Sequence, residues 1–288
     1  MEPRLQRRIQ RYGWDLAAAA YDRLWQDQLA PARAALMTCA GLIPGERVLD
    51  VACGTGITAL EAAARVSPGG DVVGIDLSDR MIGMARGRAL QEGCGNVGFE
   101  RANAENLALP DGSFDAVLCA LGLMYMPCPE RALAEMRREL RPDGRIVLAV
   151  WGNRSRCGWA SLFPIVDAEV ASDVCPLFFR LGQDTALADV CATAGFAVAT
   201  QSRLPETLVF ADAEHACNAA FVGGPVALAW SRMAAAARER VRIRYLDSIT
   251  AWRCQDGTYR IPGEFVIVAA SVQPLRPLSP LSTGSPCP

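Results

Sequence analysis

The run Val48-Leu49-Asp50-Val51-Ala52-Cys53-Gly54-Thr55-Gly56-Ile57 passes from a short apolar segment into a glycine turn. Val48–Val51 reads as a buried strand, and Thr58–Val66 has the spacing of a helix. A strand that turns through Gly-x-Gly into a helix has a mechanism behind it. Glycine takes positive φ and carries no Cβ, so a ligand can approach the main chain. The turn also aims helix N-terminal N–H groups outward, where polar or anionic groups bind. Many nucleotide-binding folds share this construction, so the turn alone names no ligand.

Further short runs rich in Val, Ile, Leu and Ala lie at Asp71–Ile75, Val97–Arg101, Ala116–Ala120 and Ile146–Trp151. Helical spacing recurs over Ser78–Glu92, with Ser78 as N-cap, and over Pro129–Leu140, where R-P-D-G predicts a helix stop and a turn. Strands and helices alternate and the strands are almost wholly apolar, which predicts a parallel sheet covered on both faces. After Trp151 the pattern changes. Ser155–Leu181 mixes aromatics, Pro and Gly without clean periodicity. Thr185–Ala194 reads as a helix with Asp184 as N-cap and Gly195 as stop, and Phe196–Ser202 and Leu208–Phe210 read as strand pieces. Ala211–Trp252 is Ala/Arg-rich and mostly helical, and Glu264–Val272 is a final strand. The expected organisation is an N-terminal helical cap over 1–40, a domain over 41–272 and a disordered Pro/Ser-rich tail over 273–288.

The 288 residues, 51% hydrophobic and 21% charged, suit a globular protein with a large core. A net charge of −2 supplies no field that would attract nucleic acid or an anionic membrane. Arg4, Arg7, Arg8 and Arg11 cluster near the N-terminus and read as a solvated helix face. All 29 basic residues are Arg, which excludes Schiff-base chemistry and a Walker-type phosphate lysine. The 11 cysteines are scattered without a CxxC pair, and the single histidine, His215, lies far from any cluster of them, so zinc spacing is absent. They are expected to be reduced cytosolic thiols that pack as small hydrophobes. There is no signal-peptide pattern, and no apolar run approaches the roughly 20 residues of a membrane span.

Three carboxyl-end features narrow the ligand. Asp50 sits just before the glycine loop, where a carboxylate suits a cationic group. Asp76 ends the second strand, 22 positions beyond Gly54, where a carboxylate can accept both hydroxyls of a ribose. Asn103-Ala104-Glu105 follows the third strand, where main-chain and amide groups can read an adenine edge. The implied ligand has an adenosine, an amino-acid end and a positive centre, but no pyrophosphate. S-adenosyl-L-methionine (SAM) fits that description better than a dinucleotide. Two rival readings are an NAD(P)-dependent oxidoreductase, whose helix-packing position Ala59 permits, and a non-catalytic SAM-binding protein.

Several segments resemble class I SAM-dependent methyltransferases, closest in flavour to the ubiquinone/menaquinone-biosynthesis type. V-L-D-V-A-C-G-T-G is similar to their first motif, and V-V-G-I-D-L-S-D-R-M-I to the segment carrying the ribose acid. N-A-E-N-L-A-L-P-D-G-S-F-D-A-V and E-M-R-R-E-L-R-P-D-G-R are similar to the later motifs, and Gly122-Leu123 to the G-L after the fourth strand. The resemblance covers roughly residues 17–151. It implies an α/β fold: a Rossmann-like mixed sheet of seven strands, the last antiparallel, with helices on both faces. Residues 211–252 then become a helical lid inserted before the last strand. It further implies that Asp50, Ala52, Gly54 and Gly56 line the methionine side, that Asp76 holds the ribose, and that Leu77 and Met81 flank adenine. Asn103 and Ala104 would meet the adenine edge, with Asn103 standing where the family often has Asp. Cys119, Ala120 and Leu121 would pass under the sulfonium, and Tyr21 would close over the methionine end.

Methyl transfer from an activated sulfonium needs alignment and exclusion of water more than acid–base groups. If a base helps, His215 in A-E-H-A-C-N is the candidate, with Tyr21 and Tyr125 behind it. Phe163, Phe178, Phe179, Phe221, Val222, Trp230 and Met233 are candidates for an apolar acceptor pocket, which suits a small aromatic or lipid-like molecule. No nucleic-acid partner is expected.

Overall fold

The computed structural model describes residues 2–170 and 177–272. Seven strands form one sheet: β1 (Arg47–Val51), β2 (Asp71–Asp76), β3 (Val97–Arg101), β4 (Phe114–Ala120), β5 (Leu140–Trp151), β6 (Phe196–Phe210) and β7 (Tyr259–Val272). Their order is β3-β2-β1-β4-β5-β7-β6. The pairings among β1 to β5 are parallel, and β7 lies antiparallel between β5 and β6. The helices are α1 (Pro3–Ala40), α2 (Ile57–Val66), α3 (Asp79–Gln91), α4 (Pro129–Glu139), α5 (Leu162–Val170), α6 (Ala186–Thr193), α7 (Ala213–Phe221), α8 (Ala227–Arg232) and α9 (Ala235–Ile249).

From β1 the chain builds outward in one direction to β2 and β3, then returns to β4 and builds the other way. Right-handed crossovers therefore put α2 and α3 on one face and α4 on the other. The reversal falls between β1 and β4, and a crevice at that switch point is where open α/β sheets bind ligands. The inner strands are apolar and almost wholly buried, as a sheet covered on both faces requires.

Ser78 is the N-cap of α3, with its hydroxyl accepting the Met81 N–H at 3.1 Å. Other local expectations need correction. R-P-D-G is not a turn between helix and strand. α4 passes directly into β5 at Leu140, and the five steps from Leu140 to Arg145 face the two from Phe114 to Ala116, so the tetrapeptide bulges within the strand. Phe196–Ser202 and Leu208–Phe210 are parts of one strand, β6, and the final strand begins at Tyr259 rather than Glu264. Pro205 lies inside β6 without breaking it, because β6 is the sheet edge and a missing N–H is harmless on the open side. The N-cap of α6 is Thr185, one residue after Asp184. The tail expected over 273–288 lies outside the described residues.

Helix α1 ends at Gly41, which takes a left-handed φ of 53°. It packs against α3, α7 and α8 and against β4 to β7. Residues 211–252, between β6 and β7, hold α7, α8 and α9.

Candidate active site

A cavity of about 1050 Å³, its open mouth included, lies across the carboxyl ends of β1, β2, β4 and β5. Its two halves differ in chemistry.

The first half is built on the glycine loop. Ala52 and Gly54 have φ of 57° and 55°, so the chain turns away from β1 with its main chain facing the cavity. Asp76, at the end of β2, accepts the Gly54 N–H at 3.0 Å on Oδ2 and the Ser78 N–H at 2.8 Å on Oδ1. A carboxylate has about four lone-pair sites, so it can accept two further hydrogen bonds. Burial pushes its pKa up to about 6, against the pull of the Ser78, Gly54 and Leu77 amides and with a smaller push from Asp15. Leu77, Met81, Asn103 and Ala104 continue this wall. Asn103 Oδ1 accepts the Glu105 N–H at 3.2 Å and so shapes the turn that carries it.

Asp50 stands behind the loop, fully buried, and neither of its oxygens has a hydrogen-bond partner. Burial, then the charge of Asp76, hold its carboxyl well above the usual range. The Ala59 amide lowers it somewhat without reaching hydrogen-bond geometry. Gly56 (φ 86°) and Cys119 also lie behind the cavity wall rather than in it. A Cβ on Gly56 would sit 2.9 Å from Ala85 Cβ and from Phe99 Cζ, so packing against α3 and β3 demands glycine there. Cys119 is fully buried, and its thiol is pushed up to about 12, chiefly by burial.

Across β4 the wall is equally tight. Leu121 has a φ of 61°, and a Cβ on Gly122 would come 2.4 Å from Ala52 Cβ. Ala52 and Leu121 are two of the three non-glycine residues with positive φ among the described residues, and both line the cavity. Each such residue costs roughly 1–2 kcal/mol, and strain of this kind gathers at functional sites.

α1 is latched onto this half by two aspartates. Asp22 accepts the Thr55 hydroxyl at 2.6 Å and also binds Arg88, while Asp15 accepts the Ser78 hydroxyl at 2.6 Å and the Arg80 N–H at 3.2 Å. Between them Tyr21 lines the cavity, and burial first, then Asp22 and Asp76, raise its pKa and keep its hydroxyl protonated. Arg7 pairs with the buried Glu105, which also accepts the Cys128 N–H at 2.9 Å. The N-terminal arginines are thus not simply a solvated face. Arg4 and Arg8 are exposed, but Arg7 lines the cavity and Arg11 lies over the Tyr12 ring.

The second half is aromatic. Trp25 and Leu29 come from α1, Trp151 from the end of β5 and Trp159 from a short 3-10 turn, Gly158–Ser161. Gly223, Gly224 and Pro225, the loop between α7 and α8, close it. The indole rings of Trp151 and Trp159 lie 4.8 Å apart, and Trp25 is 6.1 and 6.0 Å from them. Trp14 and Tyr125, 5.0 Å apart edge to face, span the junction between the halves.

Most residues expected at the site therefore do meet in one cavity: Tyr21, Ala52, Gly54, Asp76, Leu77, Met81, Asn103, Ala104, Ala120 and Leu121. His215 does not. It lies on α7 away from the cavity lining, with Nδ1 accepting the Ala211 N–H at 3.2 Å and its ring against Phe210. The apolar residues expected to form the acceptor pocket are also displaced. Phe163, Phe178, Phe179, Phe221 and Met233 are buried in the core, Trp230 is stacked on Phe221 at 4.3 Å, and none of the seven lines the cavity. Phe178 instead packs behind Tyr125 and Trp159. The tryptophans that do line it were not singled out, because nothing in their local sequence marks them; residues 25, 151, 159 and 223 converge only through the fold.

Residues 48–144 match the family model described as a methyltransferase domain. This stretch is similar to methyltransferase domains. It is 39% identical over 135 residues to a ubiquinone/menaquinone biosynthesis C-methyltransferase of Ectopseudomonas mendocina, covering 46% of this chain and 50% of that protein. To nocamycin O-methyltransferase of Saccharothrix syringae it is 36% identical over 135 residues, 47% of this chain and 48% of that one. The chain thus spans about half the length of the curated relatives it matches. Among solved structures, the YcgJ protein of Bacillus subtilis superposes with a TM-score of 0.60 over 85% of this chain and 99% of that one, at 18% identity, which shows the shared fold. The methyltransferase domain contains the glycine loop, Asp76 and Asn103, while Trp25, Trp151, Trp159 and the Gly223–Pro225 loop lie outside residues 48–144.

Proposed function

We propose that the chain transfers a methyl group from SAM to a small apolar acceptor. The observation that carries this reading is the buried, unpartnered carboxylate of Asp50 beneath a loop whose Gly54 N–H already donates to Asp76. A buried, unpartnered carboxyl beside a second carboxyl ionises readily only next to a positive charge, so the pair suits a cationic ligand and gives a pyrophosphate no compensation. Of the cavity's residues only Arg7 is a cation, and it is paired with Glu105. This argues against the NAD(P)-dependent reading.

In this reading Asp76 accepts the ribose hydroxyls, Leu77 and Met81 pack on adenine, and Asn103 and Ala104 meet its edge. Asp50 stabilises the amino-acid end through the glycine loop, with Tyr21 closing from α1. SAM supplies a methyl group already activated on positive sulfur. The chain's own task is to hold the acceptor atom in line and keep water out. The relatives' names include a C-methyltransferase and an O-methyltransferase, in keeping with a small-molecule acceptor and with no single methylated atom. No helix among the described residues is long and apolar enough to cross a membrane.

Calorimetry with S-adenosylhomocysteine (SAH), SAM and NAD tests this reading. Binding of SAH and SAM at one site, without NAD, is the expected result; binding of NAD alone would overturn it. Transfer of labelled methyl from SAM to any of a panel of small acceptors would then separate an enzyme from a non-catalytic SAM-binding protein.

A further inference from the structure

We propose that Asp15 of α1 is a positioning residue for Asp76: it holds Ser78 from the helix side, and Ser78 in turn fixes the carboxylate that the methyltransferase reading assigns to the ribose. The proposal rests on that reading for the identity of the ligand.

The geometry is a chain of hydrogen bonds with Ser78 at its centre. Ser78 is fully buried in the turn from β2 into α3. Its N–H donates to Asp76 Oδ1 at 2.8 Å, and its hydroxyl donates to Asp15 Oδ1 at 2.6 Å. The same hydroxyl accepts the Met81 N–H at 3.1 Å. A hydroxyl has one proton to give, so its single acceptor decides where it points. Asp15 Oδ1 also accepts the Arg80 N–H at 3.2 Å. Ser78 and Asp15 thereby satisfy two of the N–H groups that the first turn of α3 leaves open, and the helix dipole favours an acid there. One side chain of α1 thus locks both the cap of α3 and the residue that grips Asp76.

The chain of bonds closes on itself. Asp76 Oδ2 accepts the Gly54 N–H at 3.0 Å, and the next residue, Thr55, donates its hydroxyl to Asp22 Oδ1 at 2.6 Å. Asp15 and Asp22 lie about two helical turns apart on α1, on the same side of it. The loop after β1 and the loop after β2 are therefore spanned by one helix, and Asp76 lies between them, held at both oxygens. Two ribose hydroxyls must meet the lone pairs that remain, so a carboxylate free to turn would lose one of them.

Asp15 also acts on Asp76 through its charge. Burial is the main reason the Asp76 carboxyl is pushed up to about 6, and the charge of Asp15 adds to it. The other titratable and charged groups around the pair are Asp50, Cys53 and Cys119 beside the glycine loop and Tyr21 and Asp22 on α1, with Asp22 bound to Arg88. On α3 they are Arg80 and Asp79, the latter ion-paired with Arg101.

The test measures the affinity of the full chain for SAH by calorimetry as a function of pH. Asp15→Ala removes the acceptor and should weaken SAH binding about tenfold, the size of one charge-assisted hydrogen bond. Asp15→Asn keeps an oxygen for Ser78 and Arg80 but removes the charge. It should hold SAH within about twofold of the wild type at neutral pH, because the hydrogen bonds survive. It should also move the midpoint of the rise in affinity from about 6 toward acid, since Asp76 then ionises against one negative charge fewer. Glu61→Ala breaks the ion pair with Arg33 that holds the far end of α1 on α2, and should change neither affinity nor midpoint.

SAH binding by Asp15→Ala that matches the wild type, Asp15→Asn as weak as Asp15→Ala, or a midpoint unmoved in Asp15→Asn would each overturn the proposal. So would an equal loss in Glu61→Ala, because any loosening of α1 would then have the same effect. If Asp15→Ala fails to fold, the affinity and midpoint of Asp15→Asn decide the matter alone. A wild type that binds no SAH would overturn the methyltransferase reading and the proposal with it, whereas SAH binding that no Asp15 variant alters would leave that reading standing.

Discussion

The two halves of the cavity are made by different means. The glycine-loop half consists of main chain and acids at the ends of neighbouring strands. Gly54, Asp76 and Ser78 are tied together by hydrogen bonds of 2.8–3.0 Å, and α1 reinforces them through Asp15 and Asp22. The aromatic half consists of side chains from a helix, a strand end, a 3-10 turn and a loop, packed as ring against ring. The first is set by the strand–turn–helix architecture that all such sheets share. The second can change one ring at a time without disturbing the sheet. A fixed half beside an adjustable one is what a fold needs to serve many ligands.

The comparison predicts unequal consequences of mutation. The largest effect belongs to the polar half: Asp76→Ala should weaken SAH binding at least about 100-fold, given that hydrogen bonds to a charged group are worth roughly 1.5–3 kcal/mol each. Calorimetry reads this directly, and an unchanged affinity would remove Asp76 from the site. Gly122→Ala should cost about 1–3 kcal/mol of stability, because overpacking has no room to relax beside Ala52, and it should lower Tm in a thermal melt.

A smaller effect is expected where α1 meets the loop. Asp22→Ala removes the acceptor of Thr55 and the partner of Arg88, and should weaken SAH binding about tenfold through loss of preorganisation. Ring substitutions in the aromatic half, by contrast, should leave SAH binding almost untouched.

Acid should discriminate between the halves as well. Asp76 has a raised pKa, from 3.8 to about 6, so its contribution to the stability of the ligand-free protein is fully present below 3.8 and is lost as pH rises through 6. A ligand whose hydroxyls donate to the carboxylate favours the charged form. SAH affinity should therefore rise as pH climbs through about 6 and then level off. A flat SAH profile would contradict the role given to Asp76. The smallest effect is at His215: its replacement by Ala should alter SAM binding and methyl transfer by less than about twofold, because the ring lies away from the cavity lining.

What was legible in the sequence follows the same division. Asp50, Gly54, Asp76 and Asn103 lie at the ends of successive strands, and local chemistry announces each one: an acid after an apolar run, a glycine where φ must be positive. The sheet was legible because helices separate β1, β2 and β3, and again β4 and β5. The cavity's aromatic end was not. Trp25 and Trp159 are 134 positions apart in sequence and meet only through α1 crossing the sheet. The phenylalanines of residues 163–179 looked like a pocket, but they form the layer behind it. His215 was singled out by residue type, and residue type carries no information on the direction a helix face takes. Ala52 and Leu121, whose backbone strain marks the site, are invisible as letters, since neither residue type signals positive φ.

A crystal structure of the full chain with SAH would test the central claim most directly. The account predicts ribose hydroxyls on the Asp76 carboxylate, adenine between Leu77 and Asn103, and the sulfur turned toward the aromatic half, with Trp25, Trp151 and Trp159 left free for a second molecule. SAH lying among the tryptophans, or its ribose away from Asp76, would contradict it.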